Sequence, residues 1–236
     1  MIKNLAIKCC VLGKTPDILD CVPIQLATVA AALEDFGISL GLRQMEQIAS
    51  YMDLLTRWNR AINLTAILDH GEIVTRHFAE SIYITRFVAL EGAILDVGSG
   101  AGFPGLAIKI ARPELRVVLL EPVAKKRAFL KEVVRECKLD QVEVSGSRVE
   151  DYCAKALIRF ESATVRAVGN LPMILPATAR CLKRSGSVFL WLAGDEGPQY
   201  ALEDSGCSEL FRWSEPTPLP MSRDRKIWRG RLVADC

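Results

Sequence analysis

The stretch Asp96-Val97-Gly98-Ser99-Gly100-Ala101-Gly102-Phe103-Pro104-Gly105 sets four glycines between a short apolar run, Ala93-Ile94-Leu95, and an amphipathic stretch that begins at Gly105. An apolar run, a glycine loop and a helical pattern in that order make a βα unit, and in an open α/β sheet ligands bind at that strand end. Glycine tolerates positive φ and lets a ligand approach the backbone. Gly100, Gly102 and Gly105 satisfy the spacing GxGxxG, and Glu121 ends the next apolar run about twenty residues on, where an acid can accept ribose hydroxyls. The pattern predicts a nucleoside cofactor. A dinucleotide and S-adenosylmethionine share this unit, but three details favour the sulfonium. Asp96 ends the strand where its charge would repel a pyrophosphate and can order a loop around a cationic methionyl group. Gly98 adds a glycine ahead of the dinucleotide register, and Pro104 removes an N–H where a pyrophosphate needs donors. A side chain at Gly98 is expected to occupy cofactor space.

The alternation continues downstream. A helix Gly105 to Ala111 stops before Arg112-Pro113, a strand Arg116 to Leu120 follows, and a helix Ala124 to Cys137 turns Phe129, Leu130, Val133 and Val134 inward. A strand Val142 to Ser145, a helix near Glu150 to Ile158, a strand Ser162 to Val165, a helix Met173 to Leu182 and a strand Ser187 to Trp191 come next. Such alternation implies right-handed crossovers, hence an α/β fold with a mostly parallel sheet covered on both faces. The tail, with Pro198, Pro216, Pro218 and Pro220, reads as a long loop plus antiparallel strands, Ile227 to Val233 among them, at the sheet edge. The first third is helical: Gln25 to Phe36 closed by Gly37, a stretch from Leu42 to about Asn59 with an apolar face, a polar loop Asn63-Leu64-Thr65, and helical spacing from Glu72 to Val88. The chain thus divides into a loosely ordered leader (1–24), a helical extension (25–90) and a cofactor-binding domain (91–236). Deleting residues 2–22 is expected to leave stability and activity intact.

With 30 Lys and Arg against 28 Asp and Glu, the net charge is +2, which excludes polyanion binding by bulk charge. Contact with nucleic acid must be focused, and two basic clusters offer it: Lys125-Lys126-Arg127 with Lys131, and Arg223, Arg225 and Lys226 with Arg229 and Arg231. Eight cysteines show no CxxC pair and no neighbouring histidine, so free thiols in a reducing cytosol, and no metal, are expected. Lys8 splits the N-terminal apolar run, which argues against a secretory signal. No uncharged apolar stretch reaches the ~18 residues of a membrane span. A cytoplasmic protein without membrane contact or an obligate protein partner is expected.

The segments LLTRWNRAINLTAI, RHFAES, LDVGSGAGFPGLAIKIARPE, LLEPVAKKRAFLKEV, SRVEDY and VRAVGNL occur in that order between about Leu33 and Gly194. Together they resemble the RsmG (GidB) family of bacterial small-subunit (16S) ribosomal RNA methyltransferases, which methylate a guanine at N7. The resemblance implies a Rossmann-like class I methyltransferase sheet, S-adenosylmethionine as cofactor, and ribosomal RNA or the ribosomal subunit as partner. It implies that Gly98, Gly100 and Phe103 touch the donor, that Glu121 binds its ribose, that Val149 and Glu150 meet the adenine, and that Arg166 is a further donor-site residue. Asn63, Arg76, His77, Lys125 and Lys126 are the substrate candidates. The chain departs from the family at Glu80 and Glu121, where aspartate is usual or frequent, and at Ala193, where a lysine often precedes the glycine.

Guanine N7 carries an unprotonated lone pair, so positioning should suffice and no general base is nominated. His77 is either a structural hydrogen-bonder or a substrate contact. No Asn-Pro-Pro-Tyr follows the fourth strand and no Pro-Cys nucleophile is present, which argues against exocyclic-amine and C5-pyrimidine methylation. Trp58, Phe78, Phe103 and Trp228 are the aromatics able to stack a base. The competing readings are an NAD-dependent oxidoreductase and a non-catalytic RNA-binding module.

Overall fold

A computed structural model describes residues 24–155, 158–194, 197–198 and 209–233. The expected leader, up to residue 23, lies outside them, as does 199–208 of the expected long loop. Five strands, β1 (Ala93–Val97), β2 (Arg116–Leu120), β3 (Val142–Ser145), β4 (Phe160–Arg166) and β5 (Leu182–Ala193), pair in parallel in the order β3-β2-β1-β4-β5. β8 (Arg225–Leu232) adds antiparallel to β5 and carries β6 (Phe211–Trp213) and β7 (Thr217–Pro218) along its other side. The chain leaves β1 toward β2 and β3, then returns to β4 on the other side of β1. That reversal opens a crevice between β1 and β4 at the strands' C-terminal ends.

The sheet is buried on both faces, as period-two alternation along its strands requires. Ile94, Val117, Leu119 and Phe189 face a cluster filled by α4 (Gly105–Ala111), α5 (Ala124–Glu136) and the helical extension. Leu95, Val97, Val118, Leu120, Val165 and Leu190 face α6 (Val149–Lys155) and α7 (Leu171–Cys181). The extension comprises α1 (Ile24–Glu34), α2 (Leu42–Ile62) and α3, a helix of changing pitch over residues 70–86. Its apolar residues Ile48, Tyr51, Met52 and Leu55 join the same core as the sheet. Polar contacts fix the docking: the Gln44 amide donates to the last carbonyls of α4, Ile110 and Ala111, and Gln47 donates to the Cys137 carbonyl at the end of α5.

Four expectations need correction. α2 runs to Ile62, three residues past Asn59, and stops where Asn63 takes a left-handed φ of 47°. α3 is not a uniform helix: Val74–Ala79 is π-helical between two α-turns and closes in a 3₁₀ turn, Tyr83–Arg86. The Glu80 N–H reaches back five residues to the Thr75 carbonyl, while the Arg76 carbonyl is taken by Arg166. β5 begins at Leu182, and between Phe160 and Ser162 on β4 its register shifts, throwing out a bulge around Ser185, whose φ is 61°. Finally, Cys153 and Cys181 are not free thiols but a disulfide with Cα atoms 5.3 Å apart. They meet because α6 and α7 pack side by side on one sheet face, which a separation of 28 residues does not announce. Cys137 is a free, buried thiol whose pKa burial pushes up to about 12. The other five cysteines, Cys9, Cys10, Cys21, Cys207 and Cys236, lie outside the described residues.

Candidate cofactor and substrate site

The C-terminal ends of β1, β2, β3 and β4 are level, since Val97 pairs with both Leu120 and Val165, and Leu120 with Ser145. Four connections therefore share one rim: the glycine loop after β1, Glu121 after β2, residues 146–150 after β3 and Arg166 to Asn170 after β4. Gly98, Gly100 and Gly102 all have positive φ (70°, 56° and 89°). The Gly98 and Ser99 N–H groups donate to the Leu120 carbonyl, which turns the loop over the end of β2. Glu121, 4% exposed, bonds through one carboxylate oxygen to the Gly100 N–H (2.9 Å) and through the other to the Val123 N–H (2.8 Å). Each oxygen keeps a lone pair for a further donor, such as a ribose hydroxyl. A Cβ on Gly100 would find nothing nearer than 3.8 Å, so the loop leaves open space at that point.

The expectation that a side chain at Gly98 would occupy cofactor space needs correction. A Cβ there would lie 2.6 Å from Val168 Cγ2 on a backbone at φ 70°, so a side chain would strain the fold before it filled cofactor space. Phe103 is also placed otherwise than expected. Its ring lies between Tyr51 (centroids 5.3 Å, planes 6° apart) and His77 (4.7 Å, 14°), with Phe78 edge-on at 5.0 Å. Both ring faces are covered and Phe103 is 7% exposed, which leaves only its backbone and ring edge open to a ligand. Tyr51, from α2, donates its hydroxyl hydrogen to the Ala101 carbonyl, and the extension thereby holds the cofactor loop.

Asp96 is fully buried. One oxygen accepts from the Thr164 hydroxyl at 2.7 Å; the other has no hydrogen-bond partner. Burial pushes its pKa up to about 6 against the Thr164 bond. The Val149 side chain is in the core at the start of α6, which leaves its backbone to the rim. Glu150 stands beside it in the first turn. Arg166 reaches the rim, but its terminal nitrogens turn toward α3: Nη1 donates to Ser81 Oγ (3.0 Å), Nη2 to the Arg76 carbonyl (2.5 Å) and to Glu80 Oε2 (3.2 Å). The other Glu80 oxygen takes Nε and Nη2 of Arg225, at 2.9 and 2.6 Å, and the carboxylate is 1% exposed. Arg225 therefore leaves the basic cluster expected of the C-terminal hairpin. So does Arg229, whose Nε donates to Ser187 Oγ while its guanidinium lies over Phe189.

Arg76 and His77 lie on the π-helical turn. His77 Nε2 meets the Thr65 hydroxyl at 2.8 Å; His77 Nδ1 and Arg76 Nε are buried without partners. Burial, with Arg166 and Arg76 nearby, lowers the His77 pKa to about 3 and keeps the ring neutral. Asn63 is exposed at the end of α2. Sequence reasoning missed Asn59, whose side chain donates to the Thr65 carbonyl and accepts from the Leu64 and Thr65 N–H groups, fixing the loop that carries Thr65 to His77. An asparagine near a helix end before a polar loop was the only signal for it. Lys125 is exposed and Lys126 half-buried at the start of α5. Arg127 does not belong with them, because its guanidinium donates to the Glu121 (3.0 Å) and Pro122 (2.6 Å) carbonyls. Of the base-stacking candidates, Phe78 and Trp228 are buried and Trp58 packs against Phe129. No cluster of metal-ligating side chains occurs among the described residues, and none of their helices is long and apolar enough to cross a membrane.

Residues 44–207 match the family model described as rRNA small subunit methyltransferase G, or GidB. The chain belongs to this family. A ribosomal RNA small subunit methyltransferase G of Clostridium beijerinckii is 36% identical over 187 residues, 78% of this chain and 78% of its own. One of Ectopseudomonas mendocina is 48% identical over 138 residues, covering 58% of this chain and 64% of its own. Among solved structures, an S-adenosylmethionine-dependent methyltransferase from Aquifex aeolicus superimposes with a TM-score of 0.53 at 18% identity, over 70% of this chain and 94% of its own. The α/β sheet with its antiparallel edge is thus the Rossmann-like fold of class I methyltransferases.

Proposed function

We propose that this GidB-family chain transfers the methyl group of S-adenosylmethionine to N7 of a guanine in small-subunit ribosomal RNA, and that it does so in the cytoplasm. That it is an rRNA methyltransferase using this donor rests on the family and the fold. The observation that carries the cofactor geometry is the bond between the Glu121 carboxylate and the Gly100 N–H, which seats a ribose-accepting acid beside an open stretch of glycine backbone. In this reading Glu121 accepts the ribose hydroxyls, Glu150 and the Val149 backbone meet the adenine edge, and the Gly98–Phe103 backbone lines the methionyl end near Asp96. Arg166 acts from behind, holding α3 against the rim. The donor, when bound, supplies an electrophilic methyl on a cationic sulfur.

The site's own titratable groups support N7 as the acceptor. His77 is neutral with one nitrogen tied to Thr65, and Asp96 is enclosed beneath the loop. Neither is placed to take a proton from a substrate, and N7 has none to give. Holding the nitrogen about 3–3.5 Å from the methyl, in line with the departing sulfur, can supply roughly 7–11 kcal/mol. Arg76, His77, Asn63, Lys125 and Lys126 are proposed to meet the RNA. Mass mapping of small-subunit rRNA from cells with and without the gene tests the whole reading: one guanine loses a methyl group that base-catalysed strand scission assigns to N7. An unchanged modification map overturns it.

A further inference from the structure

A cavity of about 350 Å³ opens between the C-terminal half of α2 and the loop that follows it. Its volume falls in the range of small-ligand pockets, ~300–1,000 Å³. Leu55, Ile67, Leu68 and Ile73 wall it, and Leu68 is 74% exposed, an apolar side chain left in water at the mouth. Thr56 lines this wall, and its hydroxyl is buried without a hydrogen-bond partner, although a helical threonine can bond back to its own helix. Arg60 lies at the edge with no ion pair among the described residues. The walls are preformed, because Asn59 ties the loop with all three of its hydrogen bonds. Thr65 lines the cavity and also holds His77, which stacks on Phe103 of the cofactor loop. One residue therefore separates the cavity from the ring that supports the donor site.

We propose that this cavity is a nucleobase subsite, which receives one unstacked base of the RNA strand next to the methylated guanine while Arg60 meets its phosphate. The proposal rests on RNA being the substrate. Single-stranded RNA is recognised by splaying its bases out of the stack, seating them against aromatic rings or arginine planes and hydrogen-bonding their edges; here Arg60 is the planar group and the aliphatic walls enclose the base. Apolar walls, a lining threonine whose hydroxyl is unpaired and a cation at the rim make up that set, and the shared Thr65 links the cavity to the ring that stacks on the glycine loop. An apolar side chain of a protein partner would fill the walls but would leave Arg60 and the Thr56 hydroxyl without purpose.

Leu68→Ser and Thr56→Val test the subsite without threatening the fold, the first at an exposed position and the second isosteric. With small-subunit rRNA and tritiated S-adenosylmethionine, Leu68→Ser should raise KM for RNA about tenfold, the size of covering one exposed leucine side chain, with kcat and donor affinity held. Thr56→Val should raise it by a smaller factor. Arg60→Gln should flatten the dependence of log affinity on log salt by about 0.7, as removal of one cation from a single-strand phosphate does, whereas Leu68→Ser should leave the slope unchanged. A KM within twofold of wild type in Leu68→Ser overturns the proposal. A binding measurement separates it from the activity itself: a short oligoribonucleotide carrying 2-aminopurine should change its fluorescence on binding wild type and not Leu68→Ser. An equal change with both proteins also overturns the subsite. If wild type binds the probe as expected but methylates no rRNA, the subsite stands and the activity assignment falls.

Discussion

Tyr51 of the helical extension lies parallel to Phe103 of the glycine loop, 5.3 Å from it, and donates its hydroxyl hydrogen to Ala101 two residues earlier. One side chain thus holds the loop by its face and by its edge. Tyr51→Phe keeps the stack and leaves the buried Ala101 carbonyl unpaired, a change of roughly 1–2 kcal/mol. S-adenosylmethionine affinity measured by calorimetry should fall about three- to tenfold, with the melting temperature within a few degrees of wild type. Unchanged affinity would show that the loop holds its shape without the extension.

Asp96 should work against stability while serving binding. Its folded pKa of about 6 is above its ordinary value, so the stability linked to its protonation is present below about pH 4 and is lost as pH rises through 6. Asp96→Asn keeps an acceptor for Thr164 and removes the buried charge. At pH 7.5 it should gain about 2–3 kcal/mol, shrinking to nothing near pH 4, and should bind the donor more weakly. A melting temperature below wild type at pH 7.5 would contradict the charge argument.

His77 has the opposite sign. Its folded pKa, near 3, is below the unfolded 6.5, so its contribution is full above 6.5 and is lost as pH falls toward 3. Between pH 4 and 6 the two groups oppose each other. His77→Phe retains a ring on Phe103 and should make the melting temperature less sensitive to acid, while Asp96→Asn alone should make it more so. Acid titration of melting temperature across the two variants reads both signs. The same low value predicts that kcat of the wild type shows no limb at pH 6–7 from this ring.

The basic run at the start of α5 should split in two. Arg127→Gln should weaken donor binding, because its guanidinium supports the Glu121 and Pro122 carbonyls behind the ribose acid. Replacing Lys125 and Lys126 by glutamine should instead lower RNA affinity across unrelated sequences and reduce the salt slope by about 0.7–0.9 for each phosphate left without its lysine. Donor calorimetry and salt titration, run on both proteins, keep the two effects apart.

Much of this architecture is legible along the chain. β2, β3 and α4 have the boundaries that period-two and period-3.6 patterns give, and Glu121 stands where its spacing from the glycines puts it, at the end of the strand after the loop. What pattern cannot show is the side on which a residue finds its partner. An aromatic in a cofactor loop reads as a surface for the ligand, yet the faces of Phe103 belong to Tyr51 and His77, which are brought from distant segments. Arg225 reads as one cation of a basic cluster because nothing local says that Glu80, far back in the chain, lies beneath it. The π-turn of α3 is hidden for a related reason. Its sequence has ordinary helical spacing, and its widening goes with the claim of Arg166 on the Arg76 carbonyl.

The buried Glu80 also has a consequence in time. Its two arginine partners are carried by β4 and by β8, 86 and 145 residues later in the chain. A ribosome making this protein completes α3 long before either cation exists, and the carboxylate must stay hydrated until both have emerged. The wall formed by Glu80 and its two arginines can close only when β8 is in place. A nascent chain halted before Arg225 should therefore carry the whole glycine loop and still be a poor catalyst, so the enzyme becomes competent only after β8 has been made.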